Sequence, residues 1–177
     1  MVAGTNHLLR VTGTSPSGSF RLAFSPVLSD NGRYAAWFEQ TAPQIVSNAM
    51  ANNILWLDLQ TGDSAALSFD GATFGGRGPA MSTDGRWIAF QERLPSASFT
   101  NVYVRDMLSP AATNQLVSVN HLNTAPGDGP SFAPIISPDR RWIAFLRRAR
   151  DLTTNSWPFN SQVFARDMVG GATWLIS

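Results

Sequence analysis

The chain has no cysteine among its 177 residues, which excludes disulfides, thiol nucleophiles and zinc–thiolate centres. Lysine is absent too; all 13 basic residues are arginine, so the Gly-Lys pair of a P-loop cannot be built. Histidine occurs twice, at His7 and His121, and neither lies in a His-Glu-x-x-His pattern. No Gly-x-Ser-x-Gly elbow occurs, which removes the usual nucleophile of an α/β-hydrolase. No apolar run approaches the roughly 18 residues that a spanning helix needs, and the opening "MVAGTNHLLRVTG" has neither a basic start nor an apolar core of a signal peptide. Any export signal is therefore expected outside these residues. The net charge of +1 gives no electrostatic push toward nucleic acid or a membrane surface.

What the chain does have is ordinary globular composition, 44% hydrophobic and 14% charged, enough for one well-cored domain. It also has a repeat. "SDNGRYAAW" at Ser29 returns as "STDGRWIAF" at Ser82 and "SPDRRWIAF" at Ser137, 53 and 55 residues apart. A second motif follows each copy: "NILWLDL" from Asn53, "NVYVRDM" from Asn101 and "QVFARDM" from Gln162. A third echo closes each unit, with "AALS", "QLVS" and "WLIS" ending at Ser68, Ser118 and Ser177. Periodic self-similarity of about this length marks solenoids, propellers or arrays.

The repeated segments read as short strands, rich in Val, Ile, Trp, Tyr and Phe and bounded by Gly, Pro, Asn and Asp. Asn31-Gly32 and Asp84-Gly85 predict two-residue hairpin turns, because such turns need positive φ angles. Asp139-Arg140 breaks the pattern. An arginine at positive φ costs about 1–2 kcal/mol, so a different turn is expected there. Asp58, Asp106 and Asp167 each end a strand where a carboxylate can tie down the following turn. The "GRWIAF" strand is apolar in a run, as suits a sheet buried on both faces. Four strands per unit, repeated in line, predict an all-β fold: a β-propeller segment of three four-stranded antiparallel blades.

"PAMSTDGRWIAF" and "PIISPDRRWIAF" resemble the repeat of the TolB-like (WD-like) β-propeller family, whose core runs Pro-x-x-Ser-x-Asp-Gly-Arg-x-Ile-Ala-Phe. The resemblance covers three units, about residues 24–68, 78–118 and 132–177, within a single partial propeller domain, 1–177. His7 to Thr12 reads as the last strand of a preceding blade. Propellers of this family include periplasmic protein-binding modules and the non-catalytic domains of certain serine peptidases. The resemblance therefore implies a periplasmic or extracellular, non-enzymatic module with protein partners and no cofactor. Three blades do not readily close a ring, since propellers have four to eight. The chain is a piece of a longer propeller, or copies associate, or the arc stays open. An uncovered end blade exposes an apolar face and favours self-association.

Direction alternates from strand to strand, so the short turns gather on one face and the long connections on the other. Long loops on a rigid scaffold commonly carry binding residues. Arg147, Arg148 and Arg150, with Trp157 and Phe159 in the same loop, have the arginine and aromatic composition of interface hot spots and form the candidate binding site. The other reading is a solvated arginine rim with the two aromatics packed on the blade edge. "NTAPGDGP" from Asn123 lacks the spaced ligand ladder of a calcium loop, so no metal is expected there. Two further functional classes stay open: an accessory propeller domain of a larger enzyme such as a serine peptidase, and a structural unit that closes a ring with copies of itself.

Overall fold

The computed structural model describes residues 19–43, 51–68, 78–109, 111, 113–148, 150–154 and 161–177. The expected remnant strand at His7 to Thr12 lies outside them. Twelve strands form three sheets of four, each strand hydrogen-bonded to its neighbours in sequence. The first blade holds β1 (Ser19–Leu28), β2 (Tyr34–Pro43), β3 (Ala51–Asp58) and β4 (Ser64–Ala66). The second holds β5 (Ala80–Met81), β6 (Trp87–Glu92), β7 (Asn101–Asp106) and β8 (Gln115–Leu116). The third holds β9 (Ser131–Ile136), β10 (Trp142–Arg147), β11 (Gln162–Asp167) and β12 (Thr173–Leu175). Every pairing is antiparallel.

The repeated Ser-x-Asp/Asn string builds one turn three times. The Ser82 hydroxyl accepts the Trp87 amide at 2.9 Å and donates to the Asp84 carboxylate at 2.6 Å, while that carboxylate accepts the Arg86 amide. Ser29 with Asn31, and Ser137 with Asp139, repeat this arrangement. The sequence pattern predicts a two-residue turn; the structure has five residues between the strands, with a single positive φ. The serine hydroxyl takes over an amide that a tighter hairpin would spend in the ladder. The positive φ falls on Gly32 (67°), Gly85 (75°) and Arg140 (63°), so the third turn does not differ in type. Serine and aspartate close it so completely that Arg140 is carried into the left-handed region.

The arginine after each turn reaches the aspartate that ends the third strand. Arg33–Asp58, Arg86–Asp106 and Arg141–Asp167 lie at 2.7, 2.6 and 2.8 Å. Each guanidinium also lies over the aromatic ring that follows it, at 5.0 Å for Tyr34, 5.5 Å for Trp87 and 5.3 Å for Trp142. The same aspartates accept amides from the next turn: Gln60, Leu108 and Val169. Arg33 therefore holds the carboxyl of Asp58 down to about 2, and Arg86 and Arg141 depress those of Asp106 and Asp167 in the same way.

Strand alternation divides the core into two seams. Between the first and second blades, Tyr34, Ile54, Trp56 and Leu67 meet Ile88, Phe90 and Tyr103. Between the second and third, Ala89, Val102, Val104 and Val117 meet Ile143, Phe145 and Phe164. The second blade is thus buried on both faces, as its unbroken apolar run requires. The innermost strands are kinked at one shared position, the residue before Pro26, Pro79 and Pro134: Ser25, Gly78 and Ala133 have φ of 50°, 59° and 53°.

Candidate functional site

The candidate arginines divide. Arg147 ends β10 with its side chain wholly buried, which departs from the expectation of an arginine at the loop surface. Its guanidinium donates to the Asp151 carboxylate at 3.3 Å and to the Ser118 carbonyl at 3.4 Å. The backbone at Gly127 lies so close against that guanidinium that a Cβ there would collide with it. Burial lowers the arginine to about 10, against the pull of Asp151 and Asp128, so it remains a cation at neutral pH.

That buried cation fastens two loops. Asp151 also accepts the Asp128 amide at 3.0 Å, and Asp128 accepts the Arg150 amide at 2.8 Å. The Asp151 carbonyl receives the His121 amide at 2.8 Å. The loop that joins β8 to β9 and the one that leaves β10 are therefore locked together, with Leu152 tucked into the second seam. Arg148 and Arg150 are exposed on this platform, and Arg148 donates to the Ser161 hydroxyl at 3.2 Å. Trp157 and Phe159 lie outside the described residues. The structure thus places Arg148 and Arg150 at the surface of the long-loop face and Arg147 beneath it.

Sequence reasoning missed Asp128, Asp151 and His121 as the partners of this loop. One signal was available. Arg147 aligns with Glu39 and Glu92, the two glutamates of the chain, all on the second strand of their blades, where Glu92 and Arg147 are the last residue. Glu92 is wholly buried as well. A charge set at one repeat position in a protein with 14% charged residues points inward, to a packed role. Among the described residues no group of His, Asp and Glu is placed to hold a metal ion.

A scan against protein-family models and a search of curated proteins return no match. Solved structures do match by shape. The β-propeller domain of the Trilobed protease from Pyrococcus furiosus superposes with a TM-score of 0.60 at 16% identity, over 89% of this chain and 42% of that one. The acylaminoacyl peptidase from Pyrococcus horikoshii gives 0.56 at 18% identity, over 89% of this chain and 24% of that one. A putative TolB from Agrobacterium tumefaciens gives 0.49 at 15% identity, over 85% and 63%. The chain spans less than two thirds of the length of each. Three four-stranded antiparallel sheets, stacked face to face through two apolar seams and shared in shape with propeller domains, make this chain three consecutive blades of a β-propeller.

Proposed function

We propose that the chain is a non-catalytic propeller module that holds a protein partner on its long-loop face, in an exported setting such as the one the repeat implies. The observation that carries this reading is the Arg147 lock. A buried cation stiffens two long loops, and Arg148 and Arg150 stand exposed on the result. Preorganised loops lose less freedom on binding, and arginine is favoured at hot spots. The test is site-specific photo-crosslinking in extracts of the source cells. A crosslinker at 148 or 150 should capture one defined protein, and one at 63, in the short turn after β3, should not. Equal capture from both faces, or none from either, rejects the reading.

A second reading is favoured by a different observation: the array continues past its third blade, either as an accessory domain of a larger enzyme or by pairing with a copy. On the second blade Val104 and Val117 are sealed by the third. Their counterparts on the third blade, Ala165 and Ile176, face outward, and Ile176 is 62% exposed. Ile135, Ala144, Ala165 and Trp174 form one cross-strand row over all four strands, with Ile135 67% and Trp174 58% exposed. Molar mass by light scattering across a concentration series separates the cases. A dimer supports ring closure by copies, and a monomer at every concentration rejects it.

A further inference from the structure

The two seams are built from the same repeat positions, yet four of the positions at which they differ fall at one spot. In the first seam the Trp56 ring stacks on Tyr34, with centroids 5.3 Å apart and planes 21° from parallel. Its Nε1 donates to the Gly85 carbonyl at 3.4 Å, and the Gly85 backbone lies directly on the Tyr34 ring. In the second seam Trp87 stands for Tyr34, Val104 for Trp56, Gln115 for Ala65 and Arg140 for Gly85. Valine supplies no ring to cover Trp87. Arg140 carries a Cβ, so its turn cannot settle onto Trp87 as Gly85 settles onto Tyr34.

These changes leave a cleft of about 320 Å3 between the second and third blades, lined by Trp87, Val104, Gln115, Ile136, Arg140 and Met168 among others. Its floor is apolar and its rim carries Asp139, Arg140 and Arg141; Asp139 is engaged by the Ser137 hydroxyl and the Arg141 amide, and Arg141 by Asp167, which leaves Arg140 as the cation open to a ligand. Arg86 still lies over the Trp87 ring, as Arg33 lies over Tyr34, so the aromatic platform is held in the same way in both seams. The Arg140 side chain is 41% exposed, and its ion pair with Asp84, at 3.2 Å, is open to solvent. Such a pair is weak and exchanges readily for another carboxylate. Arg140 also keeps its left-handed backbone where the other two repeats use glycine, and strain retained at a cleft is a mark of function.

We propose that this cleft binds a small planar heteroaromatic carboxylate with a ring N–H, of the indole-carboxylate class. The first seam supplies the template. The ligand ring takes the place that Trp56 takes on Tyr34 and stacks on Trp87. Its ring N–H points to the Arg140 carbonyl, as Trp56 Nε1 points to that of Gly85. Its carboxylate meets the Arg140 guanidinium. The volume lies at the low end for small-molecule sites, which suits one bicyclic ring with a short acidic arm. The cleft opens among the short turns, on the face opposite Arg148 and Arg150, so it stands whether or not that surface holds a protein.

Isothermal titration with indole-3-acetate tests this on the whole chain. Wild type should bind one equivalent with a dissociation constant below about 1 mM. Val104→Trp, which restores the side chain of the first seam, should weaken binding at least ~10-fold. Arg140→Glu alters an exposed side chain and guards against a folding failure in the first variant. It should weaken indole-3-acetate ~10-fold while leaving neutral indole unchanged. No saturable binding by wild type, or equal binding by wild type and both variants, overturns the proposal. A tryptophan-bearing peptide that binds where indole-3-acetate does not overturns it as well, and makes the cleft a peptide site.

Discussion

Gly85 lies flat against the ring of Tyr34, one blade away, so that a Cβ at Gly85 would stand 2.7 Å from the tyrosine Cγ. Its φ of +75° adds a second demand for glycine. Gly85→Ala should therefore lose about 1 kcal/mol to the backbone and a further 1–3 kcal/mol to overpacking. Gly32→Ala is the control: its φ is +67°, but nothing lies within 4 Å of the added Cβ, so only the backbone loss of about 1 kcal/mol applies. Urea unfolding of both variants measures the difference. Equal losses would mean that the blades do not meet at this contact.

The architecture was legible because a repeat shows its core positions several times. Trp87, Ile88, Ala89 and Phe90 alternate between two seams, so the run looks continuous in sequence while each residue has one partner blade. The Arg86–Asp106 pairing was not legible, because the aspartate had a sufficient local explanation as the anchor of the next turn; it serves both purposes. Arg147 was misplaced by its company. Next to Arg148 and Arg150 it reads as one of a surface cluster, but the pleat turns adjacent side chains to opposite sides. The cleft was half visible: Arg140 stood out as a departure from the repeat, and only three dimensions set it beside Val104 and Gln115.

Three residues without glycine's freedom sit at left-handed φ in repeat positions, Arg140 at 63°, Ala133 at 53° and Ser25 at 50°, and the first two align with glycines of other repeats. Each of those two relieves about 1–2 kcal/mol of strain on replacement by glycine, and glycine returns about 0.5–1 kcal/mol through its unfolded freedom. Arg140→Gly and Ala133→Gly should each raise stability by about 0.5–1 kcal/mol in urea unfolding. Loss of the exposed Asp84 pair subtracts little from the first. Destabilisation by both would mean that the side chains hold the turns rather than strain them.

Acid should weaken the fold through the three arginine-paired aspartates. Arg33, by hydrogen bonding, is the main cause that holds Asp58 at about 2, below the roughly 3.9 of an unfolded chain. The unfolded state therefore binds more protons in acid, and the stability from this pair is full above about pH 5 and lost as pH falls from about 4 toward 2. Asp106 and Asp167 are shifted in the same direction by Arg86 and Arg141. Asp58→Asn should melt below wild type at neutral pH, with a flatter decline between about pH 4 and 2 where the two curves converge. Melting temperature against pH at fixed ionic strength is the measurement, since Arg33 is partly exposed and salt screens the pair.

The Arg147 lock separates the three neighbouring arginines by stability as well as by position. Arg147→Ala removes a wholly buried cation, empties the space under Gly127 and leaves Asp151 and the Ser118 carbonyl without it. Breaking a buried pair from one side costs about 3–5 kcal/mol, and Asp151, 31% exposed, recovers some of that through water. A loss of about 3 kcal/mol is expected, with faster amide exchange at His121 and Asp128, whose N–H groups the lock holds. Arg148→Ala and Arg150→Ala should each stay within about 0.5 kcal/mol of wild type, because both side chains lie at the surface. Were all three to cost the same, the lock would not be the device that stiffens this face, and an exposed pair on a rigid platform would lose its physical basis.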